Sequence, residues 1–455
     1  MTTTELPVVV IGAGPVGLAA ASHLVERGLE PTVIEAGDRP GSAVASCGHV
    51  RLFSPWRFCI DAAARRLLEP TGWQAPEDDA LPTGGALVRD YLAPLAATPA
   101  LRERIRYGAR VVAVGRDGAD RTSSRGRDAR PYRVRTVDAA GEVQDVLASA
   151  VIDASGTWDR PNPVGAGGLP ALGEEGVASF LTGPLPDVAG TERERFAGKH
   201  TLVVGMGHSA ANTLLALLKL ADAEPGTRVT WAIRGASPRR LYGGGAADEL
   251  PARGLLGTRL REAVESGRVE LVTRTTIERL VPASDTVRVL GTARRDGVDG
   301  ALELDVAAIV NATGFRPDLE MLREVRLDLD PVVEAPAQLA PLIDPNLHSC
   351  GSVPPHGESV LAHPDAGFYL AGMKSYGRAP TFLLATGYEQ VRSIAAALAG
   401  DREAADAVEL TLPETGVCSS DLALAADGED AGAGGGCCGP AGPQLVELTV
   451  QPASR

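Results

Sequence analysis

The sequence is poor in several features that would point to particular classes of protein. Aromatic residues make up only 4% of the 455 residues, and cysteine occurs six times. Six cysteines in a chain of this length argue against a scaffold held together by disulfides. No apolar run is long enough to cross a bilayer, because the nearest one, residues 214–221, is short and contains Lys219.

The charge balance and the first residues argue against two further roles. The chain carries 44 Lys and Arg residues against 58 Asp and Glu residues, a net charge of −14. Such an acidic protein repels phosphate backbones, which disfavours nucleic-acid binding. The N-terminal residues lack the basic region and apolar stretch of a secretory signal, so we expect a cytoplasmic protein with no membrane partner.

The order of apolar segments predicts the fold class. Short Val- and Ile-rich runs alternate with Ala-rich stretches, which is typical of α/β folds with parallel strands joined by helices. Two strand–glycine–helix units occur, near residues 8–35 and 201–234. The polar residues 117–130 predict an exposed hairpin loop, and the glycine-rich residues 425–445 predict a flexible tail.

The first unit has the pattern of a dinucleotide-binding loop. Residues 8–11 form an apolar run, and the spacing GxGxxG follows it directly. In this motif the glycines permit a tight turn, close approach of a pyrophosphate and close packing of the helix on the strand. Glu35 ends the next apolar run, where a carboxylate accepts a hydrogen bond from a ribose hydroxyl. The predicted site consists of Gly12, Gly14, Pro15, Gly17 and Glu35.

The second unit repeats the pattern with two changes. Residues 201–204 lead into GxGxxA, in which alanine is still small enough for close helix packing. The next strand is followed by Arg234, and an arginine there favours the 2′-phosphate of NADP, although it could also be a solvated charge. His208 could contact the pyrophosphate or only cap the helix. The predicted site consists of Gly205, Gly207, His208, Ser209, Ala210 and Arg234.

Three further segments carry a resemblance to a known group of flavoproteins. Residues 150–161 and 308–318 resemble the crossover segments between nucleotide domains, and residues 367–374 resemble the strand that closes an FAD site. The chain thus resembles FAD- and NADPH-dependent flavoprotein monooxygenases of the flavin-containing type. The resemblance implies FAD at the first motif, NADPH at the second and hydride transfer between them. It adds as cofactor contacts Ala154, Gly156, Thr313, Gly314, Gly372 and Met373.

The same resemblance implies a domain order of two Rossmann-like α/β domains. The FAD-binding domain would comprise residues 1–160 and 316–400. A linker at 161–197 would precede an inserted NADPH-binding domain at 198–315. Residues 401–455 would form a C-terminal extension, and a homodimer would be a common assembly for such a protein.

Departures from the related flavoproteins narrow the expected chemistry. Disulfide reductases of this fold carry closely spaced redox cysteines, whereas eleven residues separate Cys47 from Cys59. Gly372 is followed by Met373 instead of the aspartate that is usual in those reductases. The monooxygenase linker fingerprint F-x-G-x-x-x-H lacks its histidine in residues 180–187, which puts ketone oxidation in doubt. Oxidation of a soft heteroatom remains open.

Four residues are candidates for the catalytic region. Residues 46–57 follow the first unit and, by the resemblance, run beside the flavin. Arg51 or Arg57 could there stabilise reduced flavin or orient NADP, with Trp56 in the same segment. Alternatively, the segment only covers FAD. Tyr376 follows the closing strand and could line the substrate side.

The C-terminal extension contains three thiols that could act together. Cys437 and Cys438 are adjacent, and a glycine-rich stretch could bring Cys418 to them. Three soft thiolates suit a thiophilic ion such as arsenite, and the tail resembles that of flavoproteins linked to arsenic resistance. The alternative is a disordered tail with incidental thiols.

Together these features predict an FAD- and NADPH-dependent oxidoreductase that inserts one oxygen from O2 into a small molecule. The acceptor atom would be a soft nucleophile, namely sulfur, nitrogen or trivalent arsenic, which allows a role in arsenic metabolism or resistance. Two alternatives stay open. One is a reductase or oxidase that passes electrons to an arsenical, a quinone or a thiol. The other is a flavin-bearing sensor of thiols or arsenite.

Overall fold

The computed structural model describes residues 6–242, 251–347, 353–380 and 382–410, and within them fifteen strands form three sheets. The strands are β1 Val8–Ile11, β2 Pro31–Ile34, β3 Ile105–Arg106, β4 Ala109–Arg116, β5 Tyr132–Asp138, β6 Val143–Ala148, β7 Ala150–Asp153, β8 Leu181–Thr182, β9 His200–Val204, β10 Arg228–Ala232, β11 Glu270–Pro282, β12 Val287–Arg295, β13 Val298–Val306, β14 Ala308–Asn311 and β15 Phe368–Leu370.

The helices lie mainly between the parallel strands. They are α1 Pro15–Glu26, α2 Ser42–Ser46, α3 Ala62–Leu68, α4 Gly84–Leu87, α5 Ala93–Ala96, α6 Arg193–Phe196, α7 His208–Ala223, α8 Arg239–Tyr242, α9 Pro251–Glu265, α10 Ala340–Ile343, α11 Glu358–Leu361, α12 Leu384–Leu398 and α13 Arg402–Asp406. Among the residues that the structure describes, none of these helices has the length and apolar character needed to span a bilayer.

The first sheet is parallel and has the order β15-β7-β1-β2-β3. All four residues of β1 and of β7 are buried, as expected for strands that are covered on both faces. The long helices α1 and α12 contribute side chains such as Leu24 and Ile394 to one core beside this sheet. The α/β class predicted from the sequence is therefore confirmed.

The second sheet is mixed and has the order β13-β12-β11-β10-β9-β14-β8. Its β8, β14, β9, β10 and β11 run parallel, whereas β11, β12 and β13 form antiparallel pairs. Side chains of α7 and α9, such as Leu217 and Leu260, pack in one core with Trp231 of β10. The strands of this sheet, between residues 181 and 311, come between the fourth and fifth strands of the first sheet in the sequence.

The third sheet, β4-β5-β6, is antiparallel and contains the predicted hairpin loop. The connection between β4 and β5 is present where expected, but it is not wholly exposed. Arg127 is only 2% exposed, and its guanidinium contacts the carboxylate of Asp365 at 2.6 Å. The prediction of an exposed loop was wrong at this residue, because its partner lies 238 residues away in the sequence.

Candidate functional site

The first glycine loop joins β1 to α1 and touches its neighbours at two glycines. Gly12 has a φ of +99°, and a Cβ atom on it would lie 2.9 Å from the carbonyl oxygen of Ala154. A Cβ atom on Gly17 would lie 1.9 Å from the carbonyl oxygen of Gly12. The loop is therefore pressed between the first turn of α1 and the residue that follows β7.

Gly14, between these two contacts, faces open space. A Cβ atom on Gly14 would meet no heavy atom within 4 Å. The helix α1 then begins at Pro15, and no side chain caps its N-terminus. An open approach to an uncapped helix N-terminus fits a pyrophosphate, because the helix dipole and the backbone N–H groups favour an anion there. The residues present thus fit the phosphates of a dinucleotide.

Glu35 lies just after β2 and is held by the backbone. Its two carboxylate oxygens accept hydrogen bonds from the N–H groups of Ala13 and Gly37, each at 2.7 Å. These contacts orient the half-buried carboxylate beside the glycine loop. Since each carboxylate oxygen can accept more than one hydrogen bond, Glu35 can still receive a ribose hydroxyl.

The second glycine loop, between β9 and α7, repeats this construction. Gly205 has a φ of +129°, and a Cβ atom there would lie 2.0 Å from the carbonyl oxygen of Ala312. Gly207 faces open space, with no heavy atom within 4 Å of a Cβ position. The fully buried Ala210 then packs the first turn of α7 against the sheet. A second pyrophosphate therefore fits at Gly207.

Three predicted residues lie at or beside this second loop, namely Arg234, His208 and Ser209. Arg234 lies two residues beyond β10, is exposed and has no acidic partner among the residues that the structure describes. Its guanidinium is thus available to an added phosphate. His208 is exposed at the start of α7, beside the half-buried Ser209, and its ring stands edge-on to Phe53 with the centroids 5.4 Å apart. This contact brings the segment 46–57 to the second loop.

The two crossover segments are built alike. In the first, the Asp153 carboxylate accepts hydrogen bonds from the N–H and hydroxyl groups of Ser155. In the second, the Asn311 side-chain oxygen accepts the same two bonds from Thr313. Each turn supplies the residue that contacts the first glycine of its own loop, so each glycine loop is completed by a crossover.

The crossovers also contact one another. Asn162, the residue directly after the first crossover, donates its N–H to the carbonyl oxygen of Gly314 in the second at 2.9 Å. The rings of Trp158 and Phe315 stack with centroids 5.2 Å apart. Gly156, with a φ of +71°, lies in the first of these crossovers.

The closing segment, a 3₁₀ helix at Gly372–Tyr376, follows β15. A Cβ atom on Gly372 would lie 3.3 Å from the Val16 side chain in the first turn of α1, and Met373 next to it is half-buried. The predicted contacts Gly372 and Met373 therefore lie beside the first glycine loop. Tyr376 is only 1% exposed, and burial raises the pKa of its hydroxyl.

The candidate catalytic residues of segment 46–57 have different surroundings. Trp56 is buried in the core beside the first sheet. Arg51 is exposed and donates a hydrogen bond to the carbonyl oxygen of Leu81 at 2.9 Å. Arg57 is exposed and forms an ion pair with Asp79. The structure therefore does not bring Arg51, Trp56 and Arg57 together with Tyr376 as one cluster of exposed side chains.

Arg57 also lines a cavity of about 560 Å³ beside α1, α3 and α12. This volume is in the range of small-molecule sites. The walls carry charges of both signs, from Arg57, Arg66, Arg392, Asp61, Glu389 and Glu409. Nothing in the sequence pattern indicated this cavity, because its walls come from elements far apart in the chain.

One buried ion pair near the first loop was not predicted as part of the site. The Lys374 ammonium lies 2.6 Å from the Asp153 carboxylate, and both side chains have 0% exposure. The ammonium also donates to the Ser155 hydroxyl at 3.1 Å. The sequence contained a signal for Asp153, because this acidic residue ends an otherwise apolar strand. Its partner Lys374 could not be identified from the sequence.

The described cysteines are poor nucleophiles. Burial raises the pKa of the Cys47 thiol, and burial raises the pKa of the Cys59 thiol to about 12. The predicted arsenite ligands Cys418, Cys437 and Cys438 lie outside the described residues. Within those residues, no group of three or more His, Cys, Asp or Glu side chains is arranged to hold a metal ion.

Comparison with known protein families gives a match to the N-terminal part of the chain. Residues 7–75 match the family described as FAD dependent oxidoreductase. A phytoene dehydrogenase from Streptomyces griseus is 37% identical over 124 residues, which cover 26% of this chain and 22% of that protein. The chain therefore aligns with only about a fifth of the length of this relative.

Solved structures share the fold over most of the chain. A bacillithiol disulfide reductase from Bacillus cereus has a TM-score of 0.63 and 20% identity over 87% of this chain and 99% of that one. The FAD-bound cadaverine monooxygenase DfoA from Erwinia amylovora has a TM-score of 0.60 and 15% identity over 90% and 99%. An ornithine hydroxylase from Pseudomonas aeruginosa has a TM-score of 0.57 and 16% identity over 88% and 100%. Reductases and monooxygenases thus share this fold, which alone does not select a reaction.

Proposed function

We propose that this chain, an FAD-dependent oxidoreductase, is a monooxygenase that uses NADPH and O2 to oxidise a soft nucleophilic atom. The acceptor would be a sulfur, nitrogen or trivalent arsenic atom of a small molecule. In the balanced reaction, NADPH, one proton, O2 and the substrate give NADP⁺, water and the substrate with one added oxygen. The two electrons of NADPH reduce the oxygen atom that leaves as water.

The residues of the two loops would each bind a different nucleotide. Gly14 and the N-terminus of α1 would hold the FAD pyrophosphate, while Glu35 would accept a ribose hydroxyl. Gly207 and the N-terminus of α7 would hold the NADPH pyrophosphate, while Arg234 would bind the 2′-phosphate. The bound flavin supplies hydride acceptance and reaction with O2, so the protein needs to supply position and exclusion of water.

The observation that carries this proposal is the state of the two thiols in the described part of the chain, those of Cys47 and Cys59. Disulfide reduction requires an attacking thiolate. Cys59 is fully buried and its thiol contacts the carbonyl oxygen of Ser54 at 3.4 Å, and its pKa is raised by burial. The half-buried Cys47 also has a raised pKa. Neither of these two thiols is poised as a thiolate at neutral pH, which disfavours Cys47 and Cys59 as a redox pair and supports oxygen as the electron acceptor.

Isotope incorporation tests the proposal. Purified holoprotein would be supplied with NADPH and ¹⁸O2 together with an alkyl amine, a thioether or a trivalent arsenical, and the products analysed by mass spectrometry. We expect one ¹⁸O atom in the product for each NADPH consumed with the true substrate class. Cys47→Ala and Cys59→Ala variants serve as controls and should retain the wild-type rate, since neither thiol takes part.

The reductase alternative makes the opposite prediction when O2 is left out. It requires NADPH oxidation without O2 when a disulfide, a quinone or an arsenical is added. Anaerobic turnover with any of these acceptors, combined with no ¹⁸O in any product, would contradict the monooxygenase assignment.

The C-terminal thiols provide a test of the arsenic role within this proposal. If Cys418, Cys437 and Cys438 deliver trivalent arsenic, replacing all three with serine should raise the KM for an arsenical and leave the KM for NADPH unchanged. A separate titration with arsenite, followed by loss of free thiols, measures binding directly. An unchanged KM for the arsenical would remove the tail from the reaction.

A further inference from the structure

The buried ion pair between Lys374 and Asp153 occupies a distinctive place in the fold. Asp153 is the last residue of β7, next to β1 in the first sheet. Lys374 lies in the closing segment, four residues after the end of β15. Ligands of open α/β sheets bind outside the carboxyl ends of the strands. The pair therefore lies at the edge of the sheet that faces a bound flavin nucleotide.

The pair joins two segments that both contact the first glycine loop. The crossover contacts it through Ala154, whose carbonyl oxygen would lie 2.9 Å from a Cβ atom on Gly12. The closing segment contacts the loop through Gly372 and Val16. The hydroxyl of Ser155 contacts both the ammonium and the carboxylate. Because Ser155 is exposed, it forms the outer end of this network.

A second buried contact holds the start of the closing segment. The N–H group of Gly372 donates to the side-chain oxygen of Gln390 at 2.8 Å, and the Gln390 amide donates to the Ser375 hydroxyl at 2.9 Å. With Lys374 anchored to Asp153, polar groups restrain the segment from two sides. Its position relative to the glycine loop is therefore set by hydrogen bonds as well as by packing.

Stability alone does not account for a fully buried ion pair. Removing two charges from water costs about as much as their attraction returns, and an apolar pair of similar volume is often equally stable. A buried pair instead fixes geometry and fixes charge. The charge of Lys374 also acts on a second carboxylate, that of Asp318. Burial raises the pKa of Asp318, but hydrogen bonds from Arg160 and from the backbone, with the charges of Arg160 and Lys374, lower it below its usual value.

We propose that Lys374 and Asp153 are positioning residues for the flavin, which lock the crossover to the closing segment and set the electrostatic potential at the flavin edge. This inference depends on FAD binding and not on which oxidant accepts the electrons. Reduction adds negative charge to the flavin, so an unpaired carboxylate nearby disfavours reduction and an unpaired ammonium favours it.

The test is a mutant cycle read by the midpoint potential of the bound flavin. Lys374→Met leaves the carboxylate and should shift the potential to more negative values. Asp153→Asn leaves the ammonium and should shift it to more positive values. The double variant should return close to the wild-type potential, because the charges are removed together. Arg294→Met, which removes a surface ion pair with Asp299 between β12 and β13 of the second sheet, is the control and should leave the potential unchanged.

Opposite shifts that cancel in the double variant support the proposal, and shifts of the same sign or no shift overturn it. If the single variants do not retain FAD, the visible circular dichroism of the flavin bound to the double variant is compared with that of the wild type. A changed flavin signal supports the positioning role, because the network that orients the crossover is lost, whereas an unchanged signal overturns it. Neither readout depends on turnover, so failure here is distinct from failure of the monooxygenase proposal.

Discussion

One added methyl group in each glycine loop tests the two nucleotide sites against each other. Gly14→Ala and Gly207→Ala place a Cβ atom where the protein has nothing within 4 Å. The φ angles of −77° and −93° are accessible to alanine, so neither backbone is strained. We therefore expect the free energy of unfolding of the apoprotein to change by less than about 0.5 kcal/mol in either variant.

The methyl group instead occupies space that the pyrophosphate needs. Overpacking by one methyl group costs about 1–3 kcal/mol, which corresponds to roughly 5- to 150-fold weaker binding. Gly14→Ala should raise the Kd for FAD by this factor, measured by quenching of flavin fluorescence on the apoprotein. Gly207→Ala should raise the KM for NADPH by a similar factor while the FAD content stays at the wild-type level.

Gly17→Ala separates loss of a nucleotide from loss of the fold. Its Cβ atom would lie 1.9 Å from the carbonyl oxygen of Gly12, so the helix must shift. This variant should lose about 1–3 kcal/mol of stability even without FAD. The reasoning is refuted if Gly14→Ala binds FAD as tightly as the wild type. It is also refuted if Gly14→Ala weakens NADPH binding and Gly207→Ala weakens FAD binding, since the two nucleotides would then be exchanged.

Three further outcomes follow from single side chains. Arg234→Ala should raise the KM for NADPH about 10- to 100-fold, because a hydrogen bond between charged groups contributes about that much to binding. The KM for NADH should stay unchanged. An equal effect on both values of KM would assign Arg234 another role. Tyr376→Phe should keep the steady-state rate within a few fold, because the hydroxyl is buried and its pKa is raised; a rate loss of about 100-fold or more would make this tyrosine catalytic. His363 is buried, and burial lowers its pKa to about 4. On acidification, His363 therefore takes up a proton at a higher pH in the unfolded chain than in the folded protein. Stability should therefore fall between about pH 6.5 and pH 4 by up to about 3 kcal/mol, a loss that urea unfolding of His363→Phe should lack; parallel pH curves for both proteins would contradict this.

Much of the architecture could be predicted because it depends on local patterns. Four-residue apolar runs followed by GxGxxG or GxGxxA correctly indicated β1 with α1 and β9 with α7. Both loops follow the rule that a glycine is needed where another backbone presses against it, as Gly12 and Gly205 show. The turns at Asp153 and Asn311 also follow local spacing, because each side chain bonds a residue two positions later.

The remainder depends on contacts between residues that are distant in the sequence. The 3.6- and 2-residue periodicities that locate helices and strands carry no information about such partners. Burial of Arg127 depends on Asp365, and burial of Lys374 depends on Asp153, 221 residues away. Two of the residues proposed for the catalytic region, Arg57 and Tyr376, have separate surroundings, one beside an exposed aspartate and one in the core.

The sequence by itself therefore determined the α/β class and the two glycine loops, since both follow from local runs of residues, and the crossovers were indicated by the resemblance to flavoproteins. Only the tertiary structure decided which charges are buried and in which direction the pKa values of the Cys47 and Cys59 thiols shift. These properties follow from desolvation and from the nearest opposite charge, and both are set by segments that meet only when the chain has folded.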